Sequence, residues 1–312
     1  MIRTVTPNPS FDHTFQVEQL EPGVVCRADT VSIAAAGKGV NVARDVVANG
    51  GDATAVVPGS VVDGAAFSRE LEYHGVGCVV VDREATTRRN ITIIDQWGTT
   101  TKVNDAGVTV DDELAVLLIA AASADPDAFV AACGSLPPGT DPSLFVEIGK
   151  ALPAPERTLA IDTSGRALSE CLDMPCLLAK PNRRELEELI GARLHTYGDL
   201  VQAARDLVDR GWKNVLVSLG PAGAVLVNER GAWAGSTQLD RPVNTVGAGD
   251  ALVAGFLLEP TGNETALSSA LALARAAVSS VATAGMKMSA ADRSAVELRP
   301  IVESDSLGEE TG

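Results

Sequence analysis

The residues best suited to chemistry are Asn244-Thr245-Val246-Gly247-Ala248-Gly249-Asp250-Ala251. Two glycines around one alanine let backbone N–H groups approach an anion closely. An Ala- and Leu-rich stretch, Ala248–Leu258, follows and reads as a helix, so its positive N-terminal end points at the same place. Such a turn can stabilise the charge of a transferring phosphoryl group. Asp250, in the first helical turn, is placed to take a proton from an attacking hydroxyl. The same residues also make an ordinary capped helix start. A dinucleotide fingerprint is excluded, because it would need glycine where Leu252 stands.

A second glycine cluster, Ala36-Gly37-Lys38-Gly39-Val40-Asn41, precedes the helical pattern Asn41–Asn49. It is not a Walker loop: Gly39 follows Lys38 where Ser or Thr is required, and Ser32 occupies the first glycine position. It still offers amides, an ammonium and an amide side chain to a polyol or phosphate. Three further loops follow apolar runs, where open α/β sheets bind ligands. They are Thr6-Pro7-Asn8-Pro9-Ser10-Phe11-Asp12, Cys133-Gly134-Ser135-Leu136-Pro137-Pro138-Gly139 and Lys180-Pro181-Asn182-Arg183-Arg184-Glu185, the last with Asn182 and Glu185 at helical spacing.

The elements that must position these residues alternate along the chain. Short apolar runs at Ile2–Val5, Ala53–Val57, Cys78–Val81, Phe129–Cys133, Leu159–Asp162, Leu177–Ala179, Val215–Ser218 and Ala224–Val227 read as strands, several buried on both faces. Helical patterns at Asp111–Ala122, Asp199–Arg210 and Ala266–Ala284 lie between or after them. The alternation predicts a doubly wound α/β domain. Phe15–Ile33 and Arg88–Val103 break it: they read as strands without long helices, the second with a turn at Asp95–Gly98. We assign the core to 1–14, 34–87 and 104–302, a small β lid to 15–33 and 88–103, and a frayed acidic tail to 303–312.

Composition narrows the partners. The 312 residues carry 25 Lys+Arg against 41 Asp+Glu, a formal net charge of −16. That disfavours nucleic acid and anionic membrane, though not a small anionic substrate held by a local cluster of donors. The five scattered cysteines contain no CxxC, and the three histidines no zinc-ligand spacing. The longest uncharged apolar run, Leu114 to Ala122, is about half of the roughly 18 residues a membrane span needs. A reduced, cytoplasmic protein is the expectation.

In their order along the chain, these segments resemble the ribokinase-like (PfkB-type) carbohydrate kinases, from Thr6 to about Gly285. The Thr6-Pro7-Asn8-Pro9-Ser10 start with Asp12, Gly37–Asn41, Thr87-Arg88-x-Asn90, Gly134-Ser135-Leu136-Pro137 and Asp162-Thr163-Ser164-Gly165 resemble the branch acting on phosphosugars. The resemblance implies a three-layer α/β/α core with a mostly parallel sheet and a β lid whose copies pair into a homodimer. It implies ATP and Mg2+, with Asp250 as base and Gly247, Ala248 and Gly249 as anion hole. Asp12, Gly37, Gly39, Asn41, Asn90 and Ser135 would meet the sugar, and Arg88 and Lys38 its phosphate. Lys180, Asn182, Ser218, Gly220, Gly223, Gly247 and Gly249 would line the nucleotide site, and Asn182 with Glu185 would organise magnesium through water. The implied reaction converts fructose 1-phosphate to fructose 1,6-bisphosphate; tagatose 6-phosphate and fructose 6-phosphate are the alternatives, and a non-catalytic sugar-phosphate-binding protein the alternative of another class. Three positions depart from the pattern: Ala36 for glycine, Asn244 for aspartate and Phe11 for leucine.

Overall fold

The computed structural model describes residues 1–239, 242–280 and 282–308. Its strands in chain order are β1 (Ile2–Val5), β2 (Ser10–Val17), β3 (Ala28–Ala36), β4 (Ala53–Gly59), β5 (Gly77–Asp82), β6 (Arg88–Ile94) and β7 (Thr100–Asn104). They continue with β8 (Phe129–Cys133), β9 (Leu159–Asp162), β10 (Leu178–Ala179), β11 (Val215–Ser218), β12 (Ala224–Asn228), β13 (Gly231–Thr237) and β14 (Val296–Arg299). One sheet has ten strands in the order β14-β13-β12-β11-β10-β9-β8-β1-β4-β5. From β5 through β11 neighbours run parallel, and β12 to β14 close the far edge antiparallel.

Parallel strands need cover on both faces, and the core divides accordingly. Val40, Val46, Val253, Phe256, Leu267 and Leu273 pack on one face. Leu114, Leu118, Phe145, Ile148, Leu200 and Leu207 pack on the other. The helix Ala248–Leu258 is buried almost all round, because it lies between the sheet and its neighbours Lys38–Ala48 and Glu264–Val278. At Gly255 a Cβ would come within 2.6 Å of the Ala270 Cα and the Ser269 carbonyl oxygen, so a bare backbone sets this approach.

The second sheet has four strands in the order β3-β2-β6-β7. It is built from the segments the sequence assigns to a lid, with longer strands: β2 begins at Ser10 and β3 runs on to Ala36, so Asp12 lies on this small sheet. The Asp95–Gly98 turn is present, with the Asp95 carboxylate accepting from the Trp97 and Thr99 amides. Period-two alternation gives this sheet two characters. The rows Ile33–His13–Ile91–Val103 and Val31–Phe15–Ile93–Thr101 lie on one face; Ser10, Asp12, Arg88 and Asn90 lie on the other.

Two expectations need correction. The helix read as Ala266–Ala284 runs from Glu264 to Val278; Ser279 caps it, and Val281 lies outside the described residues. Of the tail read as frayed, residues 303–308 dock: the Glu303 and Asp305 carbonyls accept from the Gly198 and Tyr197 amides, and Leu307 packs against the core. Those amides belong to the start of the helix Tyr197–Asp209, which has no partners of its own for them. Residues 309–312 lie outside the described residues.

Gly255→Ala should lower stability by about 1–3 kcal/mol, the range for forcing a methyl into a filled helix contact. A urea titration followed by the buried Trp212 would report it as an earlier midpoint with an unchanged slope.

Candidate functional site

The sheet dictates where a ligand can bind. From β1 the chain winds outward through β4 and β5 on one side and through β8 to β11 on the other. That reversal opens a crevice beyond the carboxyl ends of the strands. Thr6, Gly134, Asp162 and Lys180 all stand at those ends.

Asp250 is the third residue of the helix Ala248–Leu258 and only 6% exposed. Its Oδ2 accepts a 2.8 Å hydrogen bond from Asn41 Nδ2. Gly247 before it has φ +86°, and a Cβ there would stand 2.1 Å from the Thr283 carbonyl oxygen, so only glycine fits. Gly249 packs closest to Lys180, whose Nζ would lie 3.5 Å from an added Cβ. The cradle therefore has a helix N-terminus, a carboxylate and an ammonium within one turn. Burial, and next the Asp162 carboxylate, push Asp250 up to about 7, against the opposing pull of Asn41, Lys38 and Lys180.

Behind Asp250 lies a second buried carboxylate, Asp162, at the end of β9. One oxygen, Oδ1, receives Lys38 Nζ at 3.3 Å and Lys180 Nζ at 3.2 Å. Burial would raise Asp162, but the two ammonium groups overrule it and hold it below the usual carboxylate range. Burial likewise opposes charge on Lys38; Asp162, Asp250 and Glu185 prevail and raise it above an ordinary lysine. Lys38 begins the helix Lys38–Ala48, and Asn41 follows one turn later. Gly37 and Gly39 allow that helix to start against Thr6: a Cβ would come within 2.7 Å of Thr6 Cγ2 at Gly37, and within 2.5 Å of Thr6 Oγ1 at Gly39.

The lid supplies a second polar group. Asp12 Oδ1 accepts from Ser10 Oγ at 2.7 Å and from Asn90 Nδ2 at 2.9 Å. Arg88 begins β6 and donates through Nη1 to the Asp105 carbonyl at 2.9 Å, while its buried Nε has no partner among the described residues. Burial lowers Arg88, opposed by Asp12 and Asp105. The segment Ala36-Gly37-Lys38 joins the two groups, leading directly from β3 into the helix that carries Lys38 and Asn41.

On the other flank, Asn182 and Glu185 owe their spacing to a capping box. Asn182 Oδ1 accepts from the Glu185 amide and Glu185 Oε2 from the Asn182 amide, both at 2.8 Å. Ser218 bridges to Asn182 across the strand ends. Gly220 (φ +56°) and Gly223 (φ +96°) turn the chain between β11 and β12. Asn244 accepts from the Val246 amide through its Oδ1, shaping the approach to Gly247. Ser135 is exposed and borders a cleft of about 980 Å³ between Thr109–Glu113 and Ser164–Ala167; Asp12, Asn41 and Asp250 do not line it.

Sequence reasoning quoted Asp162 within a motif but gave it no role. The available signal was a carboxylate ending a wholly apolar strand, the position where a parallel sheet exposes its ligand-binding edge. The resemblance places Lys38 with Arg88 beside the substrate phosphate; in the structure its Nζ lies 3.3 Å from Asp162 Oδ1 while its side chain stays 39% exposed.

Residues 6–290 match the pfkB family carbohydrate kinase model. The chain is 37% identical over 263 residues to a 1-phosphofructokinase of Haloferax volcanii, covering 82% of this chain and 83% of that one. It is 33% identical to a 1-phosphofructokinase of Escherichia coli K12, covering 89% and 91%. Among solved structures, phosphofructokinase-2 of Escherichia coli in complex with fructose-6-phosphate superposes with a TM-score of 0.80 at 28% identity, covering 94% of this chain and 96% of that one. The potassium complex of the same protein gives 0.85.

A carboxyl held near 7 when folded and near 3.8 when unfolded costs stability increasingly as pH rises between those values. Asp250→Asn should therefore gain stability over the wild type from pH 4 to pH 7, by up to ~1.4 kcal/mol per pH unit. Parallel urea titrations at pH 5 and pH 8 would measure it, and a constant difference would contradict the assignment.

Proposed function

The chain belongs to the pfkB family of carbohydrate kinases, and on that premise we propose that it is an ATP-dependent phosphosugar kinase converting fructose 1-phosphate to fructose 1,6-bisphosphate. The observation that carries this reading is the buried Asp250. It combines a carboxyl near neutrality, a glycine cradle at a helix N-terminus and two lysines gathered close by. The similarity to 1-phosphofructokinases over most of the chain supports the substrate.

In this reaction the sugar C6 hydroxyl attacks the γ-phosphorus of ATP. The new O–P bond forms as the bond to the β-phosphate oxygen breaks, and ADP leaves. Asp250 takes the hydroxyl proton, which a carboxylate titrating near 7 can accept at neutral pH. The amides of Gly247, Ala248 and Gly249 face the charge developing on the equatorial oxygens. Asp12, Asn41 and Asn90 hold sugar hydroxyls, with Gly37 and Gly39 keeping that wall free of side chains. Ser135, after β8, borders the sugar from the core side. Arg88 pairs with the phosphate already on the substrate through its unpartnered Nε, in the forked geometry that suits a phosphate dianion. Lys180, Asn182, Ser218, Gly220 and Gly223 border the nucleotide.

Magnesium suits the donor set: Glu185 and Asn182 present hard oxygens, and this ion needs few protein ligands beside phosphates and water. Both side chains are engaged in their capping box, so they would hold it through water. Bound there, it would neutralise charge on the β- and γ-phosphates.

We further propose that the 10–36 and 88–104 sheet acts as a lid over the sugar and pairs with a second copy. Ile33, Val31 and Val103 are 56%, 51% and 59% exposed on its outer face, which supports that use. A cytoplasmic location fits five unpaired cysteines; among the described residues no helix is long and apolar enough to cross a membrane.

A coupled ADP-release assay with Mg-ATP should give a higher kcat/KM for fructose 1-phosphate than for fructose 6-phosphate, tagatose 6-phosphate, fructose or ribose. Asp250→Asn should lower kcat by about 10²–10⁴ with KM changed little, and full turnover in that variant would refute the base. Arg88→Ala should raise KM for the phosphosugar far more than for ATP.

A further inference from the structure

Asp162 is the buried charge that the reaction above does not use. Its side chain is 0% exposed, and its backbone is fixed on both sides: its carbonyl accepts from the Gly134 amide, and the carbonyl of Ile161 from the Lys180 amide. A carboxylate this deep would ordinarily lose its charge or be replaced by an apolar residue. It stays ionised because two lysines from different parts of the chain converge on its Oδ1. Lys38 comes from the glycine segment below the lid, on the same helix as Asn41. Lys180 follows β10 on the opposite flank and lies against Gly249. Two ammonium groups gathered this closely would repel one another without the anion between them.

We propose that Asp162 is a positioning residue, which fixes Lys38 on the acceptor side and Lys180 at the glycine cradle so that both ammonium groups flank the phosphoryl group in transit. The proposal rests on the kinase reading given above. It reassigns Lys38, from a clamp on the phosphate already present in the substrate to a partner of the group being transferred. The reassignment follows from orientation: Lys38 is directed toward Asp162, Asp250 and Glu185, while Arg88, Asp12 and Asn90 gather on the lid. Lys38 has a side-chain exposure of 39%, so it remains within reach of an incoming anion, whereas Lys180 at 5% is sealed in place. The shared carboxylate leaves the site less cationic than two free lysines would make it, and this limits the trapping of the bisphosphate product.

A double-mutant cycle tests the idea. Asp162→Asn and Lys38→Ala should each lower kcat about 100-fold, the scale of a misplaced reacting group, with KM for the phosphosugar within about threefold. The double variant should be no more than about threefold worse than the poorer single, because Asp162 acts through Lys38. Losses that multiply would overturn the proposal. Should Asp162→Asn not fold, Asp162→Glu keeps the charge and displaces both ammonium groups by one methylene. It should lower kcat about tenfold or more at nearly constant KM, and wild-type turnover there would overturn the proposal equally. A third arm needs no substrate. Competitive acetylation with acetic anhydride, read by peptide mass spectrometry against the exposed Lys102, should find Lys38 less reactive than Lys102 in the wild type and about tenfold more reactive than that in a folded Asp162 variant lacking the carboxylate. Unchanged reactivity would overturn the proposal, while a wild type inactive on every phosphosugar would overturn the functional reading alone.

Discussion

Two carboxylates buried side by side are tolerable only if cations share the space with them, and the active end of this protein is organised around that constraint. Asp162 stays charged because Lys38 and Lys180 meet on it. Asp250, next to it, is pushed up first by its burial and next by the repulsion that remains. In the proposed reading one carboxylate is an anchor and the other a base, and their environments set the difference. The fold's part is to bring the ends of β9 and β10 and the starts of two helices to a single point.

That point lies beside the crevice opened where the winding reverses at β1, and much of it was legible in the sequence. The apolar runs gave β1, β8, β9 and β11 with the observed ends, because strands buried on both faces have no polar interruptions. Gly247 was legible because a backbone at positive φ that must approach the Thr283 carbonyl closely has no other residue to use. Asn182 and Glu185 were found through their spacing, although the spacing itself serves to close a helix start. Asp162 was only partly legible: a carboxylate ending a wholly apolar strand marks the ligand-binding edge of the sheet, but the convergence of Lys38 and Lys180, 142 positions apart in the chain, does not show in the sequence. β14 escaped for a related reason, since an edge strand pairs on few apolar side chains, and β13 beside it escaped because Gly231 and Gly235 interrupt its apolar pattern. The docked segment 303–308 was misread because its anchors are backbone carbonyls, which composition does not display.

The lid follows a different logic from the core. It contributes little apolar burial and holds together by a ladder that runs the full length of β2. Its polar face bears the groups suited to a sugar phosphate, and its outer face bears Val31, Ile33 and Val103. The Asn8 side chain donates to the Ala106 carbonyl, and Gly107 leaves room for it, so the segment leaving the core and the segment returning to it are fastened together at the base.

The pleat of the lid also limits how a lineage built on this chain can vary in length. A single residue gained or lost within β2 would turn Asp12 to the outer face and bring Phe11 or His13 inward, exchanging the polar and apolar faces in one step. The connection at 18–27 lies outside the paired register, so a change of length there leaves the two faces as they are. Substitution can therefore retune either surface independently, while the spacing between Ser10 and Val17 behaves as a frame that cannot be shifted.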